Sequence, residues 1–452
     1  KAGYNKSIAT QMVYGGGLKI YSTVDVKVQK VMEEVYENES SFPKTSGDVK
    51  PESAMVISDP YTGEVKGIVG GRGKKSGNLV LNRATQSPRQ PGSSIKPLAV
   101  YGPAIDTGKV TQYTVISDEP ININGWTPKN YDGTFEGSMT VMRALQKSQN
   151  IPAINILQKV GIDKSFEYLS QKMHFSNLDE VNDRNLPALA LGGMSKGVTV
   201  YEMAAAYSVF PNKGVYNKPK TYTKVTDANG KVILEASDSS NVVFSENAAY
   251  IMRNLLKNVV DHGTGYGAKI SGMDTAGKTG TADNDFDKWF AGFTPYYCGV
   301  VWFGYDVPQK ISAGGNPALK MWKQVMDKVH KGLDAKTFDK PSKSSATALC
   351  TQSRKLATGQ CKVYYEYFSK GSAPTVYCNP SVDHHKNSDE NSELPVDENG
   401  QEGGTVNPPI TDGNTSPSST SENSNQTSQG QNTPSQPSIP PANNNQPTVN
   451  LD

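Results

Sequence analysis

Several things are scarce in this 452-residue chain, and each closes off a class of function. No run of about 18 apolar residues occurs, so no segment reads as a membrane-crossing helix. Charge of one sign is not in excess: 46 Lys+Arg against 44 Asp+Glu leave a formal net charge of +2. Without a basic stripe carrying interleaved aromatics, nucleic acid is excluded as a partner. Cysteine is sparse as well. Cys298, Cys350, Cys361 and Cys378 form no Cys-x-x-Cys pair, and the five histidines, His174, His262, His330, His384 and His385, show no ligand spacing. Zinc is therefore not expected, and neither a metal nor a cofactor is assigned. The last three cysteines crowd together, which favours disulfides stapling a small loop-rich appendage of an exported protein over free buried thiols. Their pairing is not fixed by the sequence. The first residue is Lys1, with no initiator methionine and no signal-peptide core, as expected of a cut-down or processed chain.

What is present sorts into four stretches. Residues 1–50 hold a short strand around Leu18 and Ile20, then a helix capped by Asp25 with Val28, Val31, Met32 and Val35 on one face, too little for a domain alone. Residues 51–335 open on "ESAMVISDPYTGEVKGIVGG", two apolar runs around a turn, which reads as a β-hairpin. Helical patterns fill the middle, and "TAGKTGTAD" and "KWFAGFTPYYCGVVWFGYD" return to strand character before an amphipathic helix entered through Pro317. Strands at both ends with helices between predict an α+β fold: an antiparallel five-stranded sheet flanked by helices, with an inserted all-helical lobe. Residues 336–383 form a Cys-containing extension. From 384 to 452 the chain is rich in Ser, Asn, Pro and Gln and is predicted to be disordered.

Chemistry enters at "RQPGSSIKP". A serine hydroxyl is a poor nucleophile until a base takes its proton. With Ser93 at a helix start, Lys96 lies one turn on and on the same face, about 5–6 Å away between Cβ atoms. Lysine is a base only when neutral, so the site must lower its pKa from about 10.4 by burial or by a second cation. Ser94 faces elsewhere. In "ALQKSQNIPA" a helix–helix loop offers Ser148 to relay the proton and Asn150 to bond a peptide backbone. In "AGKTGTAD" an edge strand offers Lys278 as the second cation, Thr279 and Thr281 as hydroxyls for a substrate carboxylate, and Gly280 to let a ligand backbone approach. The Ser93 N–H, free at the helix start, would point at a developing oxyanion.

Serine–x–x–lysine at a helix start, S-x-N between helices and K-T-G on a strand are the trio associated with penicillin-binding proteins and class A β-lactamases. With "FEGSMTVMRALQKSQNIPAINILQKVG", "LALGGMSKGVTVYEMAAAYSVFPNKGVY" and "AGKTGTADNDFDKWFAGFTPYY", the chain resembles the transpeptidase half of a class A penicillin-binding protein from about residue 17 to 333. That resemblance implies a D,D-transpeptidase on the extracytoplasmic face of a bacterial membrane, its anchor and glycosyltransferase domain lying outside this chain and residues 1–50 following that domain. Ser93 would attack the penultimate D-Ala of a peptidoglycan stem peptide, with Lys96 as base and Ser148 returning the proton to the leaving amine. By the same resemblance Lys278, Thr279 and Thr281 would hold the terminal carboxylate, the backbone N–H groups of Ser93 and Thr281 would form the oxyanion hole, β-lactam antibiotics would acylate Ser93, and cell-wall synthesis proteins are candidate partners. Trp289, Phe290 and Phe293 are expected to pack the core beneath the strand.

Two rivals stay open. A serine β-lactamase or D,D-carboxypeptidase would resolve the acyl-enzyme with water, which calls for an added carboxylate; Glu180 and Asn182 lie in the right region with the wrong spacing. A non-catalytic β-lactam or muropeptide sensor would use the same pocket, but the chain shows no signalling segment.

Overall fold

The computed structural model describes residues 3–44, 48–341, 346–369 and 371–384. The expected disordered tail therefore lies, apart from His384, outside the described residues. Among these residues no helix is long and apolar enough to cross a membrane.

A five-stranded antiparallel sheet forms the frame. Its strands are β1 (Glu52–Ser58), β2 (Val65–Val69), β3 (Ala276–Thr281), β4 (Asp287–Phe293) and β5 (Cys298–Gly304), in the spatial order β3-β4-β5-β1-β2. The hairpin expected at the start of the body is β1–β2, turned by Asp59–Gly63 with the Gly63 N–H on the Asp59 carbonyl at 3.0 Å. β3 is an edge strand, as its motif required.

Both faces of the central strands are covered, which is why β4 and β5 read as near-continuous apolar runs rather than as an alternation. On one face α1 (Val26–Glu37) and the closing helix Pro317–Val329 seat Met32, Val35, Trp322 and Met326 against Met55, Phe290 and Phe303. Asp25 caps α1 by accepting from the Lys27 and Val28 N–H groups. On the other face Trp289, Ala291, Phe293 and Trp302 meet the helices of the insert. Trp289, Phe290 and Phe293 are all buried, as expected.

Four helices of the insert set up the site: α2 (Val141–Lys147), α3 (Asn150–Val160), α4 (Leu186–Leu191) and α5 (Glu246–His262). Besides its helices, the insert carries the ribbons Val115–Asp118 with Gly137–Thr140 and Val215–Asn217 with Ser240–Val242. Strand Lys19–Ser22 pairs with Tyr222–Thr226, tying the N-terminal segment into the body.

The disulfides expected from the sequence are not formed: all four cysteines are free. Cys298 sits inside β5 with its thiol against the Ala204 carbonyl, remote in the fold from the rest. Cys350, Cys361 and Cys378 gather around His384, a residue assigned to the tail by its polar surroundings.

Candidate active site

Three glycines fix where Ser93 stands. The chain turns at Gly92 with φ +52°, enters a 3-10 turn over Gly92–Ile95, and continues through a wider π-type turn, Pro97–Tyr101, into Gly102–Asp106. A Cβ at Gly92 would lie 2.1 Å from the Thr281 carbonyl oxygen, so the turn rests directly on the end of β3. One at Gly280 would lie 2.4 Å from the Pro91 carbonyl oxygen and 2.8 Å from Ser94 Oγ. Glycine is therefore needed at 280 for the packing of strand on turn, where the sequence suggested room for a ligand backbone. Gly192, in the left-handed conformation that ends α4, closes on Gly92 from a third side, its Cβ position 2.3 Å from the Gly92 carbonyl oxygen. Ser94 does face away: its hydroxyl donates to Pro91 O at 2.7 Å.

Lys96 and Lys278 converge on Ser148. Both lysines are fully buried, at 0 % exposure. Lys96 Nζ donates to the carbonyls of Ser148 (2.8 Å) and Gln149 (3.0 Å) and to Asn150 Oδ1 (2.7 Å). Lys278 Nζ donates to Ser148 Oγ at 2.7 Å and to its neighbour's carbonyl, Thr279 O, at 3.1 Å. Ser148 reaches both because it ends α2 in the left-handed conformation, φ +63°, which turns its hydroxyl and carbonyl toward the two amines. Burial holds the Lys96 amine well below the usual lysine range, and the nearby Lys278 pushes it further the same way. Desolvation is thus the larger cause, where the sequence reading leaned on Lys278. Burial alone lowers Lys278 to about 7.

Backbone alternation along β3 fixes the donors. The Ala282 N–H bonds to Asp287 O of the adjoining hairpin at 3.0 Å, so the Thr281 N–H, one residue earlier, points to the open edge. The Ser93 N–H lies in the first turn of its helix, where backbone donors lack an intrahelical acceptor. Thr279 Oγ1 donates to Thr264 Oγ1 at 2.9 Å, and Thr281 Oγ1 accepts from Lys288 Nζ at 3.4 Å. Lys288 in turn pairs with Asp285, whose carboxylate also accepts from Tyr131 Oη at 3.1 Å.

Sequence reasoning missed Asn130, Thr264 and Gly192. Asn130 is buried and accepts the N–H groups of Asn150 (2.8 Å) and Ile151 (3.2 Å), capping α3 from a distant loop. Its amide donates to Asp118 Oδ1 at 2.7 Å and to Thr134 O at 2.8 Å. Nothing local to "TPKNYDG" signals this role; only the glycine after α4 carried a readable helix-end signal. Replacing Asn130 by alanine leaves Asp118 Oδ1 and two helix donors without this partner, while Asp118 Oδ2 keeps the Glu136 N–H. We expect a loss of about 1–3 kcal/mol per unpartnered group, read by urea unfolding.

Residues 53–327 match the family described as "Penicillin binding protein transpeptidase domain", and residues 340–383 match "Penicillin-binding protein 1A, C-terminal domain". Penicillin-binding protein 1A of Clostridium tetani is 37% identical over 400 residues, covering 82% of this chain and 50% of that protein. Penicillin-binding protein 1F of Bacillus subtilis is 35% identical over 344 residues, 74% and 46% of the two chains. The chain thus spans about half the length of the curated relatives it matches. The crystal structure of penicillin-binding protein 1A from Haemophilus influenzae superposes with a TM-score of 0.66 at 22% identity, covering 83% of this chain and 76% of that one. A Mycobacterium tuberculosis protein solved with penicillin V gives 0.63 at 24%, over 74% and 91%. With Lys96 and Lys278 both bonded to Ser148 and a family match over most of the folded body, this chain belongs to the penicillin-binding protein transpeptidases.

Proposed function

We propose that the chain is a serine D,D-transpeptidase that cross-links peptidoglycan stem peptides on the extracytoplasmic side of the membrane and is inhibited by β-lactams. The observation that carries this reading is the meeting of two buried amines on Ser148, one of them Lys96, three residues on from Ser93. In acylation the Ser93 Oγ–carbon bond forms at the penultimate D-Ala carbonyl, and the bond to the terminal D-Ala nitrogen breaks. Neutral Lys96 takes the hydroxyl proton. To do so it gives up one of its three oxygen partners, since a neutral amine has two N–H donors and one lone pair. Ser148 accepts a hydrogen bond from Lys278, so its own O–H remains available to protonate the leaving amine, and the proton taken by Lys96 replaces the one Ser148 gives up. An amine from a second stem then attacks the ester carbon; as the new C–N bond forms the bond to Ser93 Oγ breaks, and the proton lost by the amine returns to the serine oxygen, while the Ser93 and Thr281 N–H groups hold the oxyanion. The penicillin V complex of the mycobacterial relative supports β-lactam binding at this fold.

Intact mass after exposure to penicillin, followed by peptide mapping, should find a single stable adduct on Ser93. Sustained nitrocefin turnover would instead favour the hydrolase. Glu180 argues against that rival: its carboxylate lies at the surface in an ion pair with Arg184, not over Ser93. Exchange of labelled D-amino acids into a model stem peptide should proceed, an outcome a pure sensor would not give.

The two lysines also set a pH profile. The fraction of neutral Lys96 grows as pH rises, whereas Lys278 loses its charge, and its hold on a carboxylate, above about 7. The second-order rate of acylation by a carboxylate-bearing β-lactam should therefore rise and then fall, with the falling limb centred near 7. In Lys278→Arg the guanidinium stays charged, and that limb should vanish from the neutral range. Stopped-flow rates against pH check both; a falling limb that persists in the arginine variant belongs to another group.

A further inference from the structure

Beyond the closing helix lies a side-chain cluster that acyl transfer does not use. The extension is a hairpin of β6 (Ala346–Cys350) and β7 (Val363–Tyr367), followed by the single turn Pro380–Asp383. Cys350 ends β6, Cys361 precedes β7, and Cys378 and His384 flank the terminal turn. Their four donor atoms lie within 4.8 Å of one another. His384 Nε2 is 3.2 Å from Cys350 Sγ, 3.3 Å from Cys378 Sγ and 3.9 Å from Cys361 Sγ.

These separations are those of a tetrahedron's corners. Metal–sulfur bonds of about 2.3 Å and a metal–nitrogen bond of about 2.0 Å put sulfur and nitrogen roughly 3.5 Å apart around a four-coordinate ion. Disulfide pairing fits less well, because three thiols cannot all be paired and Cys298 is buried in β5. The sulfurs are also addressed by donors. Backbone N–H groups of Gln352 and Ser353 are directed at Cys350, and the Thr358 N–H lies 3.4 Å from Cys361 Sγ. Asp383, which accepts from Lys355 Nζ and from the Asn379 N–H, steadies the turn that presents His384.

We propose that Cys350, Cys361, Cys378 and His384 form a structural zinc site. Three thiolates and one imidazole select a soft-to-borderline divalent ion held tetrahedrally, and four protein ligands leave no position open for catalysis. Binding exchanges up to three thiol protons for the ion, with the imidazole entering neutral. The need is physical: a two-stranded hairpin is marginal in water by itself, and this one leaves Val363 and Tyr365 exposed. Held closed, it docks on the body through Tyr113–Glu366 at 2.7 Å, Asn247–Phe368 O at 2.8 Å and the Ser369 hydroxyl on Ile105 O, at the far end of the helix that carries Ser93. The spacing Cys-x10-Cys-x16-Cys-x5-His hides the set from any search for close cysteine pairs.

The test is elemental analysis of the full chain purified without chelators. One zinc per chain is expected, released by a thiol reagent in step with the modification of three cysteines. His384→Ala and Cys361→Ser should each weaken zinc retention by more than the roughly 10–100-fold typical of a lost outer-shell partner. Should those variants fail to fold, cobalt(II) exchanged into the unmodified chain should show tetrahedral, thiolate-to-cobalt absorption. Protein without stoichiometric zinc, a disulfide among these cysteines in non-reducing peptide maps, or undiminished zinc in both variants would overturn the proposal.

Discussion

Lys96→Met should slow acylation of Ser93 by a β-lactam by about 10²–10⁴-fold, the span usual for loss of a positioned general base. Methionine keeps the length and the burial but offers no lone pair of comparable basicity. Lys96→Arg is the sharper control. A guanidinium can still donate to the Ser148 and Gln149 carbonyls and to Asn150 Oδ1, yet it stays protonated and cannot take a proton. If Lys96 served only to tie the Ser148–Asn150 loop to the Ser93 helix, arginine would largely restore the rate. If it is the base, both variants should be slow, and the rising limb of the pH profile should disappear with the rate. Single-turnover acylation followed by stopped-flow fluorescence or by intact mass distinguishes the two outcomes.

How far the site was legible depends on where its partners come from. Ser93 and Lys96 are one helical turn apart, so local periodicity alone brings them together. Lys278, Thr279 and Thr281 alternate along a strand whose neighbours, β4 and β5, announce themselves by unbroken aromatic and β-branched runs. The edge position of β3, the burial of Trp289 and Phe293 and the cap at Asp25 all follow from patterns that period and propensity encode. Asn130 is a different case: it reaches α3 through bonds that span about 20 positions of chain, from a loop whose composition says only that it turns. The Cys350–His384 cluster is closed by a hairpin and a terminal turn, so its geometry exists only after folding. Gly280 was read as a residue that invites a ligand, but what it meets is Pro91 and Ser94. A glycine marks close approach by something, and sequence alone does not say by what.

That crowding yields the second large effect. Gly92→Ala should reduce acylation by about 10²-fold, the loss that accompanies a displacement of about 1 Å at a reacting centre. Two costs act together. At φ +52° an alanine occupies the left-handed region, worth about 1–2 kcal/mol in stability. Its Cβ would also fall 2.1 Å from the Thr281 oxygen and 2.4 Å from the Thr281 carbonyl carbon. Both are backbone atoms of a paired strand, so no side chain can swing aside. Either the turn lifts off β3 or β3 shifts, and in both cases the Ser93 N–H parts from the Thr281 N–H, the pair proposed as the oxyanion hole. Gly230→Ala separates the two costs, because Gly230 has φ +89° but nothing within 4 Å of its Cβ position. It should lose comparable stability on thermal unfolding while acylating at the parent rate. Were Gly92→Ala to match it in both measurements, the contact between turn and edge strand would have no part in holding the oxyanion donors together.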